Sequence, residues 1–241
     1  MRVLPWVLVV TMLCTSGMTA AAEGYLSPEW HGQVLGLAPK GLGVVALEGL
    51  EVAHPKYEQT AETDPEGRFF IPATTGSLPF RWYPGFELEP YTLVVKSAGF
   101  PWFFTLRRTP NDREKFSVDI ENATLVVDPE YVIAPFTVAD MTVSIDDLNA
   151  CGETLSGAVA MTEVARALVR RSKDQKMVDR DLAALATKQY EWVTEAWTLI
   201  DPECDGKNYA DANALWKARR AVVDEASEWI LRQRDSSDAD Y

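Results

Sequence analysis

Thr63-Asp64-Pro65-Glu66-Gly67-Arg68-Phe69-Phe70-Ile71-Pro72 reads as a tight turn that launches a β-strand. The Asp64 side chain can cap the turn and Pro65 presets φ. Gly67 takes the positive φ that lets an extended chain restart at Phe69. Outward from this hairpin the same grammar continues on both sides. Phe116-Ser117-Val118-Asp119-Ile120-Glu121 alternates apolar and polar side chains, one face dry and one wet. Tyr91-Thr92-Leu93-Val94-Val95-Lys96 keeps a similar period, and Val34, Leu42, Val44, Phe69 and Ile71 belong to further short runs. Turn residues separate them at Pro39–Gly43, Gly76, Pro84-Gly85 and Gly99. Short strands at this spacing predict an antiparallel β-sandwich over residues 23–128 rather than alternating strand–helix units.

The runs Gly32-Gln33-Val34, Gly43-Val44-Val45-Ala46, the Thr63–Pro72 hairpin, Tyr91-Thr92-Leu93-Val94-Val95 and Ala98-Gly99-Phe100 resemble the carboxypeptidase regulatory-like domain. That is a sandwich of the transthyretin (prealbumin) type. The resemblance covers about 100 residues, under half of the chain. It implies a binding or scaffolding module. In carboxypeptidases the module accompanies a separate catalytic domain, so no peptidase activity follows from it. One departure is plain: the family has a short connection where this chain places 18 residues between Pro72 and Tyr91, among them Phe80, Trp82, Tyr83 and Phe86.

From about residue 146 the period changes. Leu182, Leu185, Ala186, Val193, Ala196, Trp197 and Ile200 fall on one helical stripe, and Ala212, Leu215, Trp216, Val222, Val223, Ala226, Trp229 and Ile230 on another. A first helix near Thr154–Arg171 is Ala-rich and less sharply striped. The predicted fold class is therefore α+β in two parts, the sandwich and a domain of about three helices over 146–234. A linker at 129–145 joins them, with Tyr131-Val132-Ile133 and Met141-Thr142-Val143 as candidate edge strands. A disordered acidic tail is expected at 235–241. Cys151 precedes the first helix and Cys204 follows the second, so an antiparallel helix pair would bring both to one end. A disulfide there would close a loop of about 54 residues and contribute on the order of 4 kcal/mol.

The chain opens with Arg2, the apolar run Val3–Cys14 and the small residues Ala20-Ala21-Ala22, the three-part pattern of a cleaved export signal over residues 1–22. A lipid anchor at Cys14 would want a small residue before it, and Leu13 stands there. The expectation is an exported protein, periplasmic or extracellular, with no membrane span once the signal is removed. Oxidising surroundings favour pairing of the two remaining cysteines. Net charge is −13, which disfavours nucleic acid and anionic lipid as partners.

For chemistry the sequence offers little. Two histidines, His31 and His54, are too few for the usual metal centres, and no zinc-protease, nucleophile-elbow or phosphate-loop pattern occurs. Asp201-Pro202-Glu203-Cys204-Asp205-Gly206 imitates the start of a calcium loop, but its twelfth position is Ala212 rather than Glu. Asn122-Ala123-Thr124 matches a glycosylation sequon. No catalytic residue, cofactor or metal is assigned. The aromatic residues Phe80, Trp82, Tyr83, Phe86 and Trp102 form the candidate binding surface; they either grip a ligand or pack beneath the helices. The leading expectation is a non-enzymatic envelope protein docking a protein partner. A carbohydrate-binding module for a glycan is the alternative, and a hydrolase using acidic residues the third.

Overall fold

In a computed structural model the structure describes residues 23–27, 29–39, 43–77, 89–108, 123–138, 141–144, 152–173, 179–200 and 212–238. The chain is mixed α+β, sheets first and three helices after. Strands β1 (Glu23–Ser27) and β7 (Thr74–Ser77) form an antiparallel ribbon. One larger sheet holds β2 (Trp30–Leu37), β3 (Val44–Ala46), β6 (Arg68–Ile71) and β10 (Ala123–Val127), all against β2. The other runs in the order β5 (Gln59–Glu62), β4 (Glu51–His54), β8 (Glu89–Ser97), β9 (Phe100–Arg108). Among the described strands, pairing is antiparallel except β10 with β2, which is parallel.

The turn at the centre of the sequence reading forms as expected. Asp64 Oδ1 accepts from the backbone N–H groups of Glu66 (3.0 Å) and Arg68 (2.7 Å), and Gly67 sits at φ +74°. Beyond the turn, period-2 alternation turns Phe69 and Ile71 inward and Arg68 and Phe70 outward. Inner residues of the two sheets make the sandwich core: Trp30, Val34 and Ile71 on one side, and the cross-strand row Val52–Val95–Trp102 on the other, all without solvent exposure. Gly32 lies under Phe69, and the ring fills the space a side chain there would need.

The helices are α1 (Gly152–Lys173), α2 (Arg180–Leu199) and α3 (Ala212–Asp238). Asp179 caps α2 by accepting from the N–H groups of Asp181 and Leu182, both at 3.1 Å. The N–H of Asp179 bonds back to the Ser172 carbonyl, and the Trp197 indole donates to Thr162 across the pair. So α1 and α2 run antiparallel, and the chain enters α1 and leaves α2 at the same end. The weak stripe of α1 now has a cause. Leu155 through Thr162, then Val164 and Ala165, are buried in succession, because the helix lies between β9, β10 and α2. Over those turns the helix has no fully wet face, so its apolar stripe is blurred.

The two parts share one core. The buried cluster runs unbroken from Val34 and Trp102 to Leu168, Trp197 and Ala226. Its joint is β9, whose alternation presents neighbouring rings to opposite faces. The Phe103 ring lies against Gly157 of α1, and the Phe104 ring meets Trp192 of α2 edge-on at 5.7 Å. Among the described strands β9 and β10 each lie at one end of their sheets, and both pack against α1 and α2.

Two expectations need correction. Tyr131–Ile133 is not a strand. Asp128 starts a turn there, with its side chain accepting from Glu130 N–H and its carbonyl from Tyr131 N–H, and Val132 is left exposed. The other candidate, Met141–Val143, does form a strand, β12, which pairs with β11 (Phe136–Val138). Second, α3 continues through Asp235, Ser236, Ser237 and Asp238, into residues expected to be disordered. Once a helix is nucleated, each added residue gains a backbone hydrogen bond at little cost, whatever its side chain buries. Phe116–Glu121, Leu42, Asn122, the Asp201–Gly206 turn, Cys151 and Cys204 lie outside the described residues.

Candidate functional sites

Of the residues singled out as a binding surface, Phe80, Trp82, Tyr83 and Phe86 lie outside the described residues. Trp102 is fully buried. Its ring sits edge-on to Phe100 (5.1 Å) and Tyr131 (5.4 Å), so it is core and presents nothing to a ligand. Burial, followed by the charges of Glu163 and Asp128, pushes the Tyr131 phenol up to about 12. His54 is also interior, between Trp30 and Tyr57, and burial holds its imidazole toward the neutral form.

Among the described residues of the sandwich, an aromatic side chain turned to solvent is Phe70, 49% exposed on β6. It stands opposite His31 of β2 in the sheet register. Their ring centroids are 4.7 Å apart with planes inclined by 39°. His31 contacts Glu29 at 3.1 Å, and beside it on the same face Gln33 donates to the Glu66 carbonyl at 2.7 Å. This is an aromatic centre with a polar rim. The sequence held the signal: in Arg68-Phe69-Phe70-Ile71 strict alternation leaves one of two adjacent phenylalanines outside.

A second site lies between α1, α3 and β11, a cleft of about 710 Å³. Its floor is an ionic network. Arg166 of α1 grips Glu225 of α3 with two hydrogen bonds, Nε to Oε1 at 3.0 Å and Nη2 to Oε2 at 2.8 Å. The Arg166 Nη1 group donates to Glu163 (2.9 Å) and to the Thr137 carbonyl of β11 (3.2 Å), and the guanidinium rests on the Phe136 ring. The Tyr190 hydroxyl of α2 donates to Glu225 at 2.8 Å. Burial works against the Glu225 carboxylate, but the hydrogen bonds from Arg166 and Tyr190 outweigh it and hold the group below its ordinary value. Burial and the Glu225 carboxylate push the Tyr190 phenol well up. These bonds fasten α1, α2 and α3 to one another and to β11.

Among the described residues no cluster of three or more His, Cys, Asp or Glu side chains is placed to hold a metal, and no helix is long and apolar enough to cross a membrane. Comparison with models of protein families, with curated proteins and with solved structures found no match to this chain.

Proposed function

We propose that this chain is an exported, non-enzymatic envelope protein that docks a protein partner through the outer face of its sandwich. The observation that carries the reading is the half-exposed Phe70 ring beside His31, rimmed by Glu29, Gln33 and Arg68. An apolar anchor with polar neighbours is the usual anatomy of a protein contact. Sugar rings stack best on a flat aromatic platform, whereas these two planes are inclined by 39°. A net charge of −13 favours a neutral or basic partner face. The pattern of residues 1–22 supports the location, and the turn and strand sequences that resemble the regulatory-like module support the role.

The test places a photo-crosslinking residue at position 70 and, as a control, at exposed position 60 on β5, in full-length protein expressed in its own host. The expected result is a discrete protein adduct from position 70 alone, lost when unlabelled wild type competes but kept when unlabelled Phe70→Ser does. Because Phe70 points outward, Phe70→Ser should leave the melting curve in place. Equal labelling from both positions would sink the docking surface. Retention on an envelope glycan column that Phe70→Ser leaves intact would instead favour the carbohydrate-binding reading through residues 80–86. Recovery of the chain from the cytoplasm with residues 1–22 attached would remove the export part.

A further inference from the structure

The cleft above the Arg166 network has an unusual charge arrangement, and none of its residues belongs to the Phe70 patch. Three arginines and three acids line it: Arg166, Arg170 and Arg232 against Asp224, Glu225 and Glu228. Two pairs neutralise each other, Arg166 with Glu225 and Arg232 with Glu228 at 2.8 Å. That leaves Arg170 on the α1 wall and Asp224 on the α3 wall. Arg170 makes no hydrogen bond or ion pair among the described residues, and Asp224 has only a loose, solvent-exposed contact to Arg220 at 3.9 Å.

The vertical order of these groups follows from two contacts. Arg166 meets Glu225, and Lys173 lies over the Trp229 ring. Both contacts advance in the same direction, so α1 and α3 run parallel. Arg170 therefore stands about one helical turn above the level of Asp224, on the opposite wall. Between them the lining is apolar: Val138, Val169, Ala221 and Trp229. Trp229 is held in place by its indole N–H, which donates to Thr187 at 3.2 Å.

We infer that this cleft binds a small zwitterion, an α-amino acid or dipeptide, with its carboxylate on Arg170, its ammonium on Asp224 and its apolar body against Trp229. Guanidinium matches carboxylate in a planar two-bond contact. The opposite charges of the walls fix the ligand's direction. The fixed floor keeps both walls at constant spacing, so little has to be ordered on binding. The volume lies in the range of small-molecule sites.

The probe is glycyl-leucine, with three controls: its N-acetyl derivative, its C-terminal amide and a chito-oligosaccharide. Binding to the full chain is followed by tryptophan fluorescence and calorimetry. Glycyl-leucine should bind, and each blocked form should bind about tenfold more weakly or worse. Arg170→Ala should weaken glycyl-leucine by a similar factor and erase its advantage over the amide. Asp224→Asn should erase its advantage over the N-acetyl form. Both side chains are at the surface, so the variants should melt with the wild type, and a lower melting point in either would be countered by the conservative Arg170→Lys and Asp224→Glu. No binding of glycyl-leucine at about 10 mM, equal binding of the blocked forms, or binding of the oligosaccharide in its place would overturn the inference.

Discussion

The Arg166–Glu225 fastener makes the most demanding prediction, because one residue pair joins three helices and the β11 hairpin. Arg166→Met removes both hydrogen bonds to Glu225, the contact with Glu163 and the donor to the Thr137 carbonyl. Only Tyr190 then serves the Glu225 carboxylate. An exposed ion pair is worth about 0–1 kcal/mol, whereas breaking a fully buried one costs about 3–5 kcal/mol. The two side chains here are 20% and 33% exposed, between those limits, so the expected cost is about 2 kcal/mol. In a chain of this size that lowers Tm by roughly 4–8 °C.

Glu225→Gln should cost about half as much, since the amide oxygen still accepts from Tyr190. The double variant should cost less than the sum of the two. The coupling also has a pH signature. The folded carboxyl titrates below its ordinary value of 4.5, so the unfolded chain binds the proton first as acid is added. The stabilisation is complete above about 4.5 and fades as pH falls through the lower folded value. Burial of His54 adds acid sensitivity of its own, below its ordinary 6.5, but equally in wild type and Glu225→Gln. Urea melts of the four proteins near neutral pH and at about pH 3 measure the cycle. The reasoning fails if Arg166→Met costs no more than Arg232→Met, whose pair is about 70% exposed, or if the coupling energy is the same at both pH values.

Gly32→Ala places a methyl 2.5 Å from the Phe69 ring and 2.6 Å from the Ala123 carbonyl oxygen; the expected cost is about 2–3 kcal/mol, and an unchanged thermal melt would refute the β2–β10 register. Trp197→Phe removes the 2.9 Å bond to Thr162 and part of a buried ring, for about 1–3 kcal/mol by denaturant melt; a smaller loss would mean that the α1–α2 contact is not a tight one. Non-reducing peptide mapping of exported protein should find Cys151 joined to Cys204, and two freely alkylated thiols would contradict the pairing. Trp82→Ala should lower stability by several kcal/mol if the aromatic insertion packs under the helices; loss of binding with an unmoved melt would make it a recognition loop.

What the sequence determined by itself is what depends on neighbours along the chain. Thr63–Arg68 codes its turn locally, since Asp64 and Gly67 act through bonds within five residues. The stripes of α2 and α3 are visible because each of these helices has a wet face, and amphipathicity is a period in one dimension. Net charge weighs against nucleic acid and anionic lipid for the same reason, being a sum that needs no coordinates. Only the tertiary structure decided the rest. Trp102 reads like any strand tryptophan, and its burial depends on Phe100 and Tyr131 closing over it. Arg166, Tyr190 and Glu225 are 24 and 35 residues apart in turn, with no spacing that marks them as a set. They meet because α1 packs against both α2 and the sandwich, with β9 offering Phe103 to one helix and Phe104 to the next. Contacts made across such separations are fixed by packing of whole elements, a property no local pattern carries.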